Sequence, residues 1–174
     1  MPVDMRWPPG TDVTGYYRSA SLADMEADIR ALDQEVAGVF VDGAVAYAVA
    51  GSRDVIDDQT DEALQQFIGG STVTHSHPDD DSFSLPDLLF AYGWGLRQLR
   101  AVGPMWTYVL DEPHAGWDRF DMSSFLFLAE YRERVLEDDV QGGTIKRDRK
   151  WHTFWTRVMG EAEIPYTAAL EQGS

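Results

Sequence analysis

Apolar residues along the chain follow two rhythms. At Leu22, Met25, Ile29 and Leu32 they recur every three or four positions, which lines up one face of a helix, and Ser21 just ahead can cap its first free amides. Then the period shortens. Residues 35–41 (EVAGVFV) and 44–50 (AVAYAVA) are short apolar runs joined by Asp42-Gly43, a dipeptide that supplies the positive φ of a two-residue hairpin turn. A helix is expected over 61–68, ending at Gly69-Gly70 and leading into a third strand at 71–76. Ser84 opens a further helix, expected to reach about Leu99, with Leu88, Leu89, Tyr92 and Leu96 at helical spacing and Gly93 and Gly95 weakening its middle. Strands are expected at 100–102 and 105–110 across Gly103-Pro104, and helices over 120–137 and 147–160 on either side of Gln141-Gly142-Gly143. The Pro, Gly and Asp of residues 1–14 read as an irregular arm. Helices alternating with mostly hairpin-linked strands predict an α/β (α+β) fold: a mixed β-sheet flanked by helices, with a C-terminal helical extension.

Composition narrows the chemistry. The 174 residues include no Cys, so disulfides, thiolate zinc sites and cysteine nucleophiles are excluded. No apolar run approaches the length that crosses a bilayer, and Met1 to Gly10 hold prolines and Asp4 where a basic, apolar leader would stand, so a cytoplasmic protein is expected. Thirty Asp and Glu against 14 Lys and Arg give a formal charge of -16. Such acidity argues against nucleic-acid and membrane partners, both of which rely on a basic surface. It leaves room for a basic partner.

Candidate chemistry gathers between residues 74 and 87. Residues two apart on a strand share a face, so His75 and His77 can turn two imidazoles to one point. Pro78 ends the strand, and the loop brings Asp87 to the first turn of the next helix. Two imidazoles and a carboxylate would make a three-ligand zinc site that leaves the fourth tetrahedral position to water. A general base is still needed, and Glu35 is the best placed, heading a strand face with Ala37, Val39 and Val41. Glu26 and Glu62 are weaker candidates, on helices among solvated charges. Ser84-x-x-Asp87 also reads as a capping box, and Asp79-Asp80-Asp81 as a solvated loop. His114 and His152 are expected as surface or satisfied core residues, and Trp151, Phe154 and Trp155 as a helix face on the core. Lys146, Arg147, Arg149 and Lys150 form the one basic run, expected as a solvated helix start.

A glutamate at the head of an apolar strand (Glu35-Val36-Ala37-Gly38-Val39), then His75-Ser76-His77-Pro78, then Ser84-x-x-Asp87, resembles the motif of the JAB1/MPN/Mov34 (JAMM) metallopeptidase superfamily. The likeness covers roughly residues 32–110. It implies an MPN-like core at 21–112, between an N-terminal arm (1–20) and a helical extension (113–174) packed on it as one globular domain. It further implies that His75, His77 and Asp87 bind Zn2+, that Glu35 polarises the attacking water, and that Ser84 helps stabilise the oxyanion. The activity implied is hydrolysis of an amide or isopeptide bond in a protein or peptide substrate. Nine residues separate His77 from Asp87, one fewer than in eukaryotic deubiquitinating members, so the chain looks more like the bacterial and phage JAB-like domains. Two alternatives stay open: an MPN-type scaffold without turnover, and an acidic inhibitor or immunity-type protein that binds a basic partner.

Overall fold

In the computed structural model, which describes residues 7–51, 67–144 and 150–171, the sheet grows outward from the hairpin at Asp42-Gly43. Both turn residues have positive φ, 50° and 82°, and they join β2 (Val36–Val41) to β3 (Ala44–Ala50) in an antiparallel pair. Val39 lies opposite Tyr47 and Phe40 opposite Val45, so Ala46 is an extra residue that bends β3. On the other side of β2 runs β4 (Thr72–Ser76), antiparallel to it and parallel to β5 (Gln98–Val102). A parallel pair needs a crossover, and α3 (Leu85–Trp94) supplies it. β6 (Trp106–Asp111) and β7 (Tyr166–Leu170) extend this side, and β1 (Thr11–Asp12) pairs with β3 at the opposite edge. The result is a seven-stranded mixed sheet in the order β1-β3-β2-β4-β5-β6-β7, flanked by helices.

Alternation along β2 divides the core into two layers. Val36 and Phe40 pack with Val13, Tyr17, Met25 and Ile29 of α1 (Thr14–Tyr17) and α2 (Leu22–Ile29). Ala37 and Val39 point the other way, into a larger cluster with Val73, Phe83, Leu88 and Leu99. Phe154 and Trp155 of α5 (Lys150–Glu161) close that cluster, next to α4 (Met122–Gln141). Ion pairs hold α4 to α5: Arg157 meets Asp139 at 2.8 Å, and Arg132–Glu161 and Lys150–Glu137 lie beside it. Trp155 also donates its indole N–H to the Phe83 carbonyl, fixing α5 to the loop that precedes α3.

Four expectations change. The helix from Ser84 stops at Trp94 because Gly95 takes the left-handed conformation (φ 61°, ψ 46°) and its N–H bonds back to Ala91 and Tyr92. Gly95 is therefore a C-cap instead of a weak point in the middle, and Gln98 and Leu99 join the sheet. The end of the chain is not all helical, since β7 completes the sheet on β6. The N-terminal arm is not wholly irregular, since Thr11–Asp12 pair with β3 and Val13 and Tyr17 are buried against the sheet. Glu26 is not solvated: it lies buried under α2, where Arg100 grips it through Nε at 2.5 Å and Nη2 at 3.0 Å and the Thr74 hydroxyl donates to it at 3.0 Å. The helices expected over 61–68 and 147–160 lie partly, and Glu62, Lys146, Arg147 and Arg149 wholly, outside the described residues. Among the described residues no helix is long and apolar enough to cross a membrane.

Candidate metal centre

The sheet register decides which way the histidines face. His75 lies opposite Ala37, so its ring enters the α3–α5 side, while Thr74 turns to α2. Ser76 also turns to α2, and there its hydroxyl accepts from the Val36 amide at 2.9 Å and donates to the Gln34 carbonyl at 3.1 Å. That bond ties the end of β4 to the start of β2. One residue beyond β4, His77 still donates its amide to Val102 at 2.8 Å, so it keeps the strand direction and returns to the face of His75. The rings meet at 4.5 Å between centroids, with their Nε2 atoms 2.8 Å apart.

Hydrogen bonding sets the tautomer. His77 Nδ1 lies 2.8 Å from the Asp81 carbonyl, which can only accept, so Nδ1 carries the hydrogen and Nε2 keeps its lone pair. The hydrogen between the two Nε2 atoms then belongs to His75, whose Nε2 also stands 3.3 Å from Asp87 Oδ1; to hold an ion through Nε2, His75 would have to move that hydrogen to Nδ1.

Asp87 holds two posts. At the third position of α3 it completes a capping box: its Oδ2 accepts from the Ser84 amide at 2.6 Å and from the Ser84 hydroxyl at 2.5 Å. Its Oδ1 is turned to His75. The cap and the candidate ligand atom are thus two oxygens of one fully buried carboxylate. Together, His75, His77 and Asp87 offer ligand atoms that all lie within 4.8 Å of one another.

The donor set suits zinc, with two nitrogens and one oxygen, and an orienting bond behind His77. A tetrahedral ion with bonds of 2.0–2.1 Å holds its nitrogens about 3.3 Å apart, so the rings need to open by about half an ångström.

Glu35 immediately precedes β2, with its carbonyl held by the Gly51 amide at 2.8 Å, and lines the same cleft as His77 and Asp87. Ser84 lines it too, although its hydroxyl donates to Asp87 and would have to turn to meet an oxyanion. The cleft encloses about 760 Å³ between this cluster and the facing helices, where Leu126 and Ala129 of α4 and Trp151, Phe154 and Trp155 of α5 form an apolar wall. Of the expected core face on α5, Phe154 and Trp155 are buried and Trp151 is exposed.

The acidic triplet is not simply solvated. Asp80, at φ 60°, accepts the amides of Met105 and Trp106 on Oδ1 at 2.9 and 3.0 Å, and its carbonyl accepts the Tyr108 hydroxyl at 3.2 Å. Gly103 allows this approach, since a Cβ there would stand 2.1 Å from Asp80 Oδ1. Asp80 therefore pins the loop that presents the Asp81 carbonyl to His77. Nothing in the sequence separates it from its neighbours; only the fold brings the β5–β6 turn against it. Burial, followed by the charges of Asp79 and Asp80, raises the Asp81 carboxyl above its ordinary range.

His152 lies beside the core, its Nδ1 3.1 Å from the Tyr166 hydroxyl, which in turn meets Ser82 at 3.0 Å. Burial raises that tyrosine well above its ordinary range. His114 is exposed on a separate cavity of about 400 Å³. Set against known proteins, the chain matches no family model, no curated protein and no solved structure.

Proposed function

We propose that the protein is a zinc-dependent hydrolase of an amide or isopeptide bond, working in the manner of JAB1/MPN/Mov34 metallopeptidases on a protein or peptide in the cytoplasm. One observation carries this reading. Two imidazoles and one carboxylate converge, two of the three, His77 and Asp87, line an open cleft, and among the described residues no fourth His, Asp or Glu joins them. Structural zinc sites close their fourth position with protein, and catalytic sites leave it for water or substrate.

His75 Nε2, His77 Nε2 and Asp87 Oδ1 would hold the ion. When bound, zinc supplies Lewis acidity, polarising a carbonyl and bringing the pKa of a water toward about 7. The protein contributes the rest. Glu35 accepts a proton from the attacking water as the C–O bond forms, and delivers it to the nitrogen as the C–N bond breaks. Asp81, through its carbonyl, holds His77 in the tautomer that binds. Ser84 turns from Asp87 to donate to the carbonyl oxygen as negative charge gathers there.

The test is a metal assay joined to a peptidase screen. The purified protein is expected to take up one zinc per chain and to cleave members of a quenched-fluorescent peptide library. Glu35→Gln should keep the zinc and lose at least about 100-fold in rate. A chain that binds no zinc would overturn the reading, and an unaffected Glu35→Gln would remove the role given to that residue.

A further inference from the structure

The cleft beside the cluster has a lopsided chemistry. Its α4–α5 wall leaves large apolar side chains in the open, with Trp151 and Leu126 keeping 38% and 36% of their surface exposed. A surface of this kind stays uncovered where something apolar is meant to lie on it. Around it stand carboxylates on both banks: Asp79 and Asp81 on the loop after β4, Glu130 and Glu133 on α4. No Lys or Arg lines the cleft among the described residues. Two cations next to lining residues already have partners. Lys150 pairs with Glu137, its ammonium 4.7 Å from the Trp151 ring, and Arg134 pairs with Glu130 on the open surface, 75% and 64% exposed, where such a bond is weak and exchangeable.

From this arrangement, and resting on the hydrolase reading above, we infer the substrate class: a peptide segment that presents a Lys or Arg side chain next to aliphatic residues. Its aliphatic neighbours and the methylene stem cover Leu126 and Trp151, and its cationic head reaches Glu130 and Glu133 at the rim. An anionic segment is excluded by the same carboxylates, since like charge in a walled cleft repels. The helical extension is then the specificity wall of the site, and the metal cluster its opposite bank. Lys and Arg combine an apolar stem with a cationic head, the two features that the apolar wall and the acidic rim call for.

Binding can be measured without turnover, which separates this inference from the hydrolase reading. The protein is zinc-loaded Glu35→Gln, and the probes are fluorescein-labelled Ala-Ala-Leu-Lys-Leu-Ala-Ala and the same peptide with Gln in place of Lys. Anisotropy titration at low ionic strength should show the Lys peptide binding about tenfold more tightly. Adding Glu130→Gln and Glu133→Gln should cut that preference to less than about threefold. Adding Glu112→Gln and Asp138→Asn, exposed acids outside the cleft, removes the same two charges and should leave it intact. Equal binding of the two peptides, or an equal loss in the control, overturns the inference. A preference that persists in a protein that cleaves nothing overturns the hydrolase reading alone, and cleavage of peptides without regard to Lys overturns the substrate class alone.

Discussion

Thr74 and His75 are neighbours on β4, and each touches a buried carboxylate on its own side of the sheet. On the α2 side, Thr74 donates to Glu26, which Arg100 grips with two nitrogens. On the α3 side, His75 faces Asp87, whose other partners are the amide and hydroxyl of Ser84. A buried carboxylate demands a counter-charge or a full set of donors. The first side builds that charge into the chain as a guanidinium, which never loses its proton. The second presents imidazoles, whose charge is conditional, and opens to a cleft. One pair is a fastening, and the other is the candidate place for an ion.

Breaking the fastening should have the largest effect. Arg100→Met leaves Glu26 buried without its cation and should cost about 3–5 kcal/mol in urea unfolding, while zinc affinity stays unchanged. Replacing both partners, Glu26→Leu with Arg100→Met, should recover most of the loss. If Arg100→Met instead weakens zinc binding in still-folded protein, the two sides of the sheet are coupled and the contrast fails.

The next effect belongs to the other side. Asp87→Asn and Asp87→Ala should both lower zinc affinity by more than about 100-fold, since each removes the charged ligand oxygen. They should differ in stability. Asn can still accept from the Ser84 amide, so it should be about 1 kcal/mol more stable than Ala in the metal-free protein. Calorimetric zinc titration and thermal unfolding read the two posts separately, and variants alike in stability would deny the capping post.

Much of this arrangement was legible in the sequence because its cause is local. The period-two spacing of His75 and His77, the Asp42-Gly43 turn and the Ser84-x-x-Asp87 box all act within a few residues, and each forms as its spacing requires. The mixed sheet with flanking helices followed from the same patterns. What could not be read depends on partners far along the chain. Glu26 and Arg100 are 74 residues apart, and without its partner Glu26 looks like any helix charge. β1 has only two residues, and β7, with alternate residues half-exposed, is defined by its pairing with β6. Gly95 reads in the sequence as a weak point inside the helix, because Tyr92 and Leu96 continue the apolar spacing across it, whereas its left-handed backbone makes it the end. Asp80 carried no mark at all.

Asp80 gives the third, smaller test. It touches no ligand atom and works through the loop that offers the Asp81 carbonyl to His77. Asp80→Ala should reduce zinc affinity about tenfold, the range of orienting partners, whereas Asp80→Asn, whose Oδ1 can still accept both amides, should stay near wild type. The imidazole Nδ1–H resonance of His77 should shift in the Ala variant only. Equal losses in both variants would mean that charge, and not the pinned loop, is what matters.

The smallest expected effect compares the helices that cover the two sides. Asp24 completes the capping box of α2 with Ser21, and Asp121 caps α4 through Ser124. In both, hydrogen bonds from the serine hydroxyl and then from backbone amides hold the carboxyl below its ordinary range. A carboxyl with a depressed folded pKa adds stability above its unfolded value, about 3.9, and loses it as pH falls through the folded one. The gap in urea midpoint between wild type and Asp24→Asn/Asp121→Asn should therefore be present at about pH 5.5 and shrink toward about pH 3. Both carboxylates are solvent-exposed, so the gap should be small at either end. The deficit of Arg100→Met should be several times larger than either cap gap at about pH 5.5. An Asn variant more stable than wild type at about pH 5.5, with the difference closing in acid, would show that these aspartates act through charge repulsion in the -16 chain and not through their hydrogen bonds.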